Sequence, residues 1–175
     1  MSTYIFIWNA KTNPQPQIAK AAKALLAGKE VQGFDWSTGG TRYFPPASEF
    51  LLYRTRKEPR GIFAYGKLVD ELEEDLHWDP DRAAKGEKAL YVKMIPESLV
   101  DPDINPELVL TPEALQQAGF ERRKGIWCPM DRVQRSGITV DGQDAARIRD
   151  LFDSLQKQVH RSRSGSENKS RARSH

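Results

Sequence analysis

Residues 3–8 read Thr-Tyr-Ile-Phe-Ile-Trp, an unbroken β-branched and aromatic run that predicts a buried strand. After the turn Lys11-Thr-Asn-Pro-Gln-Pro the period changes. Ile18, Ala21, Ala22, Leu25 and Leu26 fall at i, i+3, i+4, i+7 and i+8, which is one helical face, and Gly28 supplies its stop. Phe50–Arg54, Gly61–Leu68 and Ala89–Ile95 read as further strands. The basic stretch Arg54-Thr-Arg-Lys-Glu-Pro-Arg60 joins the first two of these as a hairpin. Gly66 inside the second marks a bulge or a close backbone approach. Thr111-Pro-Glu-Ala-Leu opens a short helix, with Thr111 as N-cap and Pro112 at the first helical position. Ala145, Ile148, Leu151, Phe152, Leu155 and Val159 give an amphipathic helix from near Asp141 to about Gln158.

The segments between these elements are less regular. Residues 33–49 are expected to form a long ordered loop, punctuated by Gly39-Gly40 and Pro45-Pro46 but carrying Phe34, Trp36, Tyr43 and Phe44. Residues 70–81 hold seven acids and no Lys or Arg around His77-Trp78, and read as a solvated acidic stretch. Residues 96–112 are Pro- and Asp-rich turns. Strand, helix, loop, three strands and then helices predict an α+β fold with a curved, mostly antiparallel sheet flanked by helices.

Charge changes this picture. The 175 residues hold 27 Lys+Arg and 24 Asp+Glu, a net of +3. The last 16, HRSRSGSENKSRARSH, hold five of the basic residues and one acid, so residues 1–159 stand at −1. Two regions follow: a nearly neutral domain over 1–159, and a basic Ser/Arg-rich tail over 160–175 that is expected to be disordered and to add salt-sensitive affinity for nucleic acid. Within the domain, Lys11, Lys20, Lys23 and Lys29 have no acid between them and form a local positive edge.

Several chemistries drop out. A single cysteine, Cys128, leaves no internal disulfide framework, and with three histidines it all but excludes a structural zinc site. No Gly-x-x-x-x-Gly-Lys-Ser/Thr, Gly-x-Gly-x-x-Gly or Gly-x-Ser-x-Gly motif is present. No metal or cofactor is expected. No apolar run approaches the ~20 residues of a membrane helix, and the N-terminus has no secretory pattern, so a cytoplasmic location is expected. Cys128 reads as an inert thiol and His77 as a packing residue. Asp35 is the one candidate general acid or base in the loop, and its ordinary role is a turn or capping acid. What remains is aromatic. Trp36 is the aromatic residue least explained by packing, and Ser37-Thr-Gly-Gly beside it offers hydroxyls and bare amides to a planar polar ligand.

Tyr4-Ile-Phe-Ile-Trp-Asn9, Phe34-Asp-Trp-Ser-Thr-Gly39, Phe50-Leu-Leu-Tyr-Arg54, Glu58-Pro-Arg-Gly-Ile-Phe-Ala-Tyr-Gly66, His77-Trp78 and Leu90-Tyr-Val-Lys93, in this order, resemble the EVE domain family. That family belongs to the PUA-like superfamily, with the YTH readers of methylated adenine. The likeness runs from about residue 3 to 100. A weaker one covers Ile126-Trp-Cys-Pro, Ser136-Gly-Ile-Thr and the final helix, as in modification-dependent restriction proteins.

The resemblance implies an open β-barrel and a pocket for a modified base. Flipped 5-methyl- or 5-hydroxymethylcytosine in DNA is the expected ligand, with modified RNA bases as the alternative. Trp36 and Trp78 correspond to cage tryptophans. Asn9, Ser37, Thr38 and Gly39 correspond to the pocket edge, and Tyr53, Arg54, Tyr65 and Gly66 to its mouth. Lys11, Lys20, Lys23, Arg42, Arg56, Lys57 and Arg60 are the expected phosphate contacts. The reading is of a non-catalytic module. With no nuclease domain after residue 159, its expected partners are nucleic acid and a separate nuclease or other effector. An accessory restriction subunit, an enzyme acting on nucleotides through Asp35, and an interaction protein recruiting partners by its tail are the other readings.

Overall fold

The computed structural model describes residues 2–172, and for Asp70 and residues 167–172 the backbone alone. The strands are β1 (Thr3–Asn9), β2 (Phe34–Ser37), β3 (Glu49–Thr55), β4 (Gly61–Leu76), β5 (Lys88–Leu99) and β6 (Ile138–Val140). They form one sheet in the order β2-β5-β4-β3-β1-β6. Only β1 and β3 pair in parallel; every other pair is antiparallel. The parallel pair needs a crossover, and α1 (Pro16–Leu26) with β2 supplies it. The remaining helices are α2 (Pro80–Ala84), α3 (Pro112–Gln117) and α4 (Gly142–Ala172). The expected α+β class holds: a curled mixed sheet forms a half-barrel flanked by helices, consistent with a PUA-like fold.

Burial explains the layering. Every residue of β3 from Glu49 to Arg54 is buried, as a central strand covered on both faces must be. Ile5, Phe6, Phe50, Leu51, Leu52, Ile62, Phe63 and Met94 form the inner core. α1 adds Ile18, Ala21 and Ala22, and α4 adds Ala145, Ile148 and Phe152, the faces their periodicity predicted. Burying a side chain of the Leu, Ile or Phe class stabilises by about 1.5–3 kcal/mol, so these positions outweigh any single polar contact. Thr111 Oγ1 accepts from the Ala114 amide at 3.2 Å, so the expected cap of α3 is made.

Three stretches differ from expectation. Residues 34–37, read as loop, are a short edge strand with Phe34 and Trp36 buried and Asp35 exposed. Four residues are too few for the alternation to stand out among the surrounding Gly and Pro. The acidic stretch does not end β4 at residue 68; the strand continues to Leu76, paired with Lys88–Val92, with Glu71, Glu73, Glu74 and Asp75 exposed. The expected disorder after residue 159 is not what the described residues show. α4 runs on to Ala172, and Arg163 anchors it through Glu107 and Asn105; residues 173–175 lie outside the described residues.

Arg54 is fully buried, and this is the structure's largest departure from simple polarity rules. Its guanidinium donates to the Glu58 carbonyl at 2.7 Å, the Pro59 carbonyl at 3.2 Å and Asp103 Oδ1 at 2.9 Å, and lies 5.8 Å from the Trp8 ring centre. The fork pins the β3–β4 turn to the segment after β5. Arg54→Ala should destabilise by about 3 kcal/mol, the low end for breaking a buried pair because Asp103 is half open. Arg54→Lys should not restore it, since a single ammonium cannot meet three acceptors in a plane. Urea midpoints at constant m-value test both.

Hydrogen bonds from Arg54 and then Lys57 hold the Asp103 carboxyl below the usual aspartate range. A depressed carboxyl stabilises the fold above its unfolded pKa, about 3.9. That contribution is lost as pH falls through the lower folded value. Part of the wild-type stability loss below about pH 4 should therefore vanish in Asp103→Asn, which starts lower at pH 7; unfolding midpoints at pH 7 and pH 3 measure the difference.

Candidate nucleic-acid interface

The sheet curls until β2, at one end of the strand order, meets β1, with β5, β4 and β3 between them. The Trp36 indole N–H donates across the gap to the Ile7 carbonyl at 3.3 Å. At this junction lies a cavity of about 320 Å³. Its lining brings together five of the expected pocket residues: Asn9, Trp36, Ser37, Gly39 and Trp78.

Local contacts explain the shape. The Trp8 indole donates to the Asn13 carbonyl at 2.7 Å, which folds the turn after β1 so that Asn13 and Gln15 reach the cavity. Gly39 has φ 65°, and a Cβ there would lie 3.0 Å from Ser136 Cβ, so the 38–41 turn packs against the segment before β6. Ser136 Oγ accepts from the Ile7 amide at 3.0 Å, which holds that segment and its Arg135 at the rim. His77 is buried; its Nδ1 accepts from the Asp79 amide at 3.0 Å, and its ring sits 5.1 Å from the Trp78 ring. It backs Trp78, in line with a packing role. Tyr91 donates to the Leu76 carbonyl at 2.7 Å, and burial first, then Asp75, pushes its phenol up.

The two tryptophans are unequal. Trp36 is 4% exposed and packs against Phe34, ring centres 5.9 Å apart, so it is a wall of the barrel as much as of the cavity. Trp78 is 44% exposed and lines the cavity from the link after β4. Asp35 is the one carboxylate in the lining; Ser37, Asn9, Asn13 and Gln15 are its neutral polar side chains beside Ser136, and Arg135 is its cation. Among the described residues no group of three or more His, Cys, Asp or Glu could hold a metal ion, and no helix is long and apolar enough to cross a membrane.

Five expected pocket residues fall elsewhere. Thr38 is fully buried behind the cavity, its amide bonded to the Leu90 carbonyl at 3.0 Å, and its hydroxyl has no partner among the described residues. Arg54 is committed to Asp103 and the turn carbonyls. Tyr65 donates to Asp153 of α4 at 2.9 Å, and burial first, then Asp153, raises its phenol well above the usual range. Gly66 serves the β4–β5 bulge, where a Cβ would stand 2.8 Å from Pro96 Cα. Tyr53 is buried and lines a neighbouring cavity instead. Tyr53, Arg54, Tyr65 and Gly66 sit on the central strands β3 and β4, where side chains belong to the core or the helices; Thr38 follows the edge strand β2 and turns inward.

The expected phosphate contacts divide as well. Lys11, Arg56 and Arg60 line the cavities beside Asn9. Arg60 is paired with Glu58 at 2.8 Å and Lys57 with Asp103 at 3.0 Å. Lys20, Lys23 and Arg42 are exposed but line none of the cavities that meet at Asn9. Sequence reasoning missed Arg132, Gln134 and Arg135 altogether. They lie in an irregular segment with no periodicity; their basic spacing was the only available signal.

The contrast between the tryptophans is measurable. Trp36→Phe loses one hydrogen bond across the barrel junction and should cost about 1 kcal/mol, with faster amide exchange in β2. Trp78→Ala should change stability by no more than about 0.5 kcal/mol. Equal losses in thermal melts would contradict this division.

No protein-family model matches the chain, and no curated protein matches it. Among solved structures it is similar to the crystal structure of protein PSPTO5229 from Pseudomonas syringae, with a TM-score of 0.51 and 16% identity. The likeness covers 86% of this chain and 99% of that one, and it bears on the fold.

Proposed function

We propose that the protein is a non-catalytic reader of a modified base, 5-methyl- or 5-hydroxymethylcytosine in DNA, of the EVE type within the PUA-like fold. The observation that carries the reading is the cavity of about 320 Å³ whose lining combines the partly exposed Trp78 with hydrogen-bonding side chains. A base flipped from a duplex costs a few kcal/mol of unstacking. Stacking on an aromatic ring returns about 1–3 kcal/mol, so the rest comes from polar and phosphate contacts. Asp35 can accept from the exocyclic amino group of cytosine. Ser37, Asn9 and Asn13 suit the remaining edge, and Arg135 suits a flanking phosphate. The Tyr91 phenol, which lines the cavity with Asp35, spends its proton on the Leu76 carbonyl, which favours binding over acid–base catalysis. A cytoplasmic location and a separate effector, such as a nuclease, go with this reading.

Binding of DNA and RNA oligonucleotides of one sequence, carrying cytosine, 5-methylcytosine or 5-hydroxymethylcytosine, tests it. The wild type should prefer a modified DNA strand. Trp78→Ala and Ser37→Ala should each erode that preference, Trp78→Ala by about tenfold or more, with melting temperatures unchanged. A wild type without preference, or a preference untouched by both changes, defeats the reading. A stronger preference on RNA would replace DNA as the substrate.

A further inference from the structure

The base-sized cavity does not stop at Asn9. Asn9 also lines two further cavities, of about 840 and 630 Å³. Ile7 is shared by the first and second, and Arg56 and Arg60 by the second and third. The three follow one another around the C-terminal end of β1 as one groove. Its middle part is lined by the β3–β4 turn, by residues 130–134 and by Tyr53.

The charges in this middle part sort themselves. Glu58 is paired with Arg60, and Asp131 with Arg122 at 2.7 Å; Glu113, the third acid of the lining, forms no ion pair among the described residues. Arg56 and Arg132 line the groove, are exposed, and form no ion pair among the described residues. Arg56 moreover sits at φ 67°, a left-handed conformation that costs a side-chain-bearing residue and suits glycine. Among the described residues the Arg56 side chain forms no hydrogen bond, so no contact within the fold accounts for arginine at that turn.

We propose that this groove seats the nucleotide adjoining the recognised base, with Arg56 and Arg132 on its phosphates. The proposal rests on reading the smaller cavity as the base pocket, and it makes the ligand a phosphodiester-linked strand rather than a free nucleobase.

The test is a salt titration of affinity for short single-stranded oligonucleotides, modified and unmodified, with wild type, Arg132→Ala and Arg56→Gly. Each change should lower the slope of log affinity against log salt by about 0.7. Each should weaken binding to both oligonucleotides by the same factor, leaving any preference intact. Arg56→Gly should melt no lower than wild type, because it relieves the turn. Unchanged slopes in both folded variants, or no oligonucleotide binding by the wild type, overturn the groove. A preference that survives with unchanged slopes keeps the base pocket and removes the groove. Slopes that fall in a protein without preference do the reverse.

Discussion

At Gly66 the backbone of β4 comes so close to β5 that a Cβ would fall within contact distance of the Ile95 carbonyl oxygen and 2.8 Å from Pro96 Cα. The ladder shifts register at this point and again between Val69 and Leu72. A further shift occurs between Leu52 and Tyr53 on the β3 side. Each bulge bends its strand and adds twist. Pro96 is tolerated in the strand because it sits at the bulge, where no ladder donor is needed. With three such bends the sheet cannot stay open, and β2 is carried round to β1. The Trp36–Ile7 hydrogen bond is a consequence of that curl; worth about 1 kcal/mol, it could not impose it. The cavity exists because the curl stops short of closing the barrel.

The same constraint assigns the neighbouring residues. On a strand buried on both faces every side chain is claimed by the core, so Arg54 can be there only with its donors met. It meets them by seizing the carbonyls of the β3–β4 turn and Asp103. That fixes the turn as one wall of the groove. Glu49 plays a similar part at the other end of β3, where it pairs with Arg149 of α4. Polar residues that looked available for ligand are thus the means by which the walls are positioned.

Much of this was legible in the sequence. β1, α1, β3, β5, α3 and the start of α4 follow from periodicity and caps, and Gly66 was read as a close approach, which it is. The five residues that do gather at the cavity come from the ends of β1 and β2, the turn after β2 and the link after β4, where a side chain can leave the core. Tyr53, Arg54, Tyr65 and Gly66 went astray because a motif shows which residues stand together in sequence but not which face of a curled sheet they occupy. Thr38 failed by one residue: Ser37 is half-buried at the cavity and Thr38 is wholly inside. Arg132 and Arg135 were invisible because their segment has no period to read. It is placed by contacts some 130 residues distant in sequence, such as Ile7 to Ser136.

Charge is where the structure alters the argument most. The sequence puts its excess of basic residues in the last 16, and a disordered tail would make them the grip on nucleic acid. With α4 continuing to Ala172, Arg163 is tied to Glu107 and Asn105 and is withdrawn from that task. The groove cations that form no ion pair among the described residues, Lys11, Arg56, Arg132 and Arg135, belong instead to a domain of net −1. A domain near neutrality exerts little long-range attraction, so its hold on a phosphate depends on charges placed within a screening length, roughly 8 Å in physiological salt. Setting Arg56 and Arg132 along the groove, with Glu58 and Asp131 paired and only Glu113 of its middle lining left without an ion pair among the described residues, supplies locally a positive charge that the domain as a whole lacks.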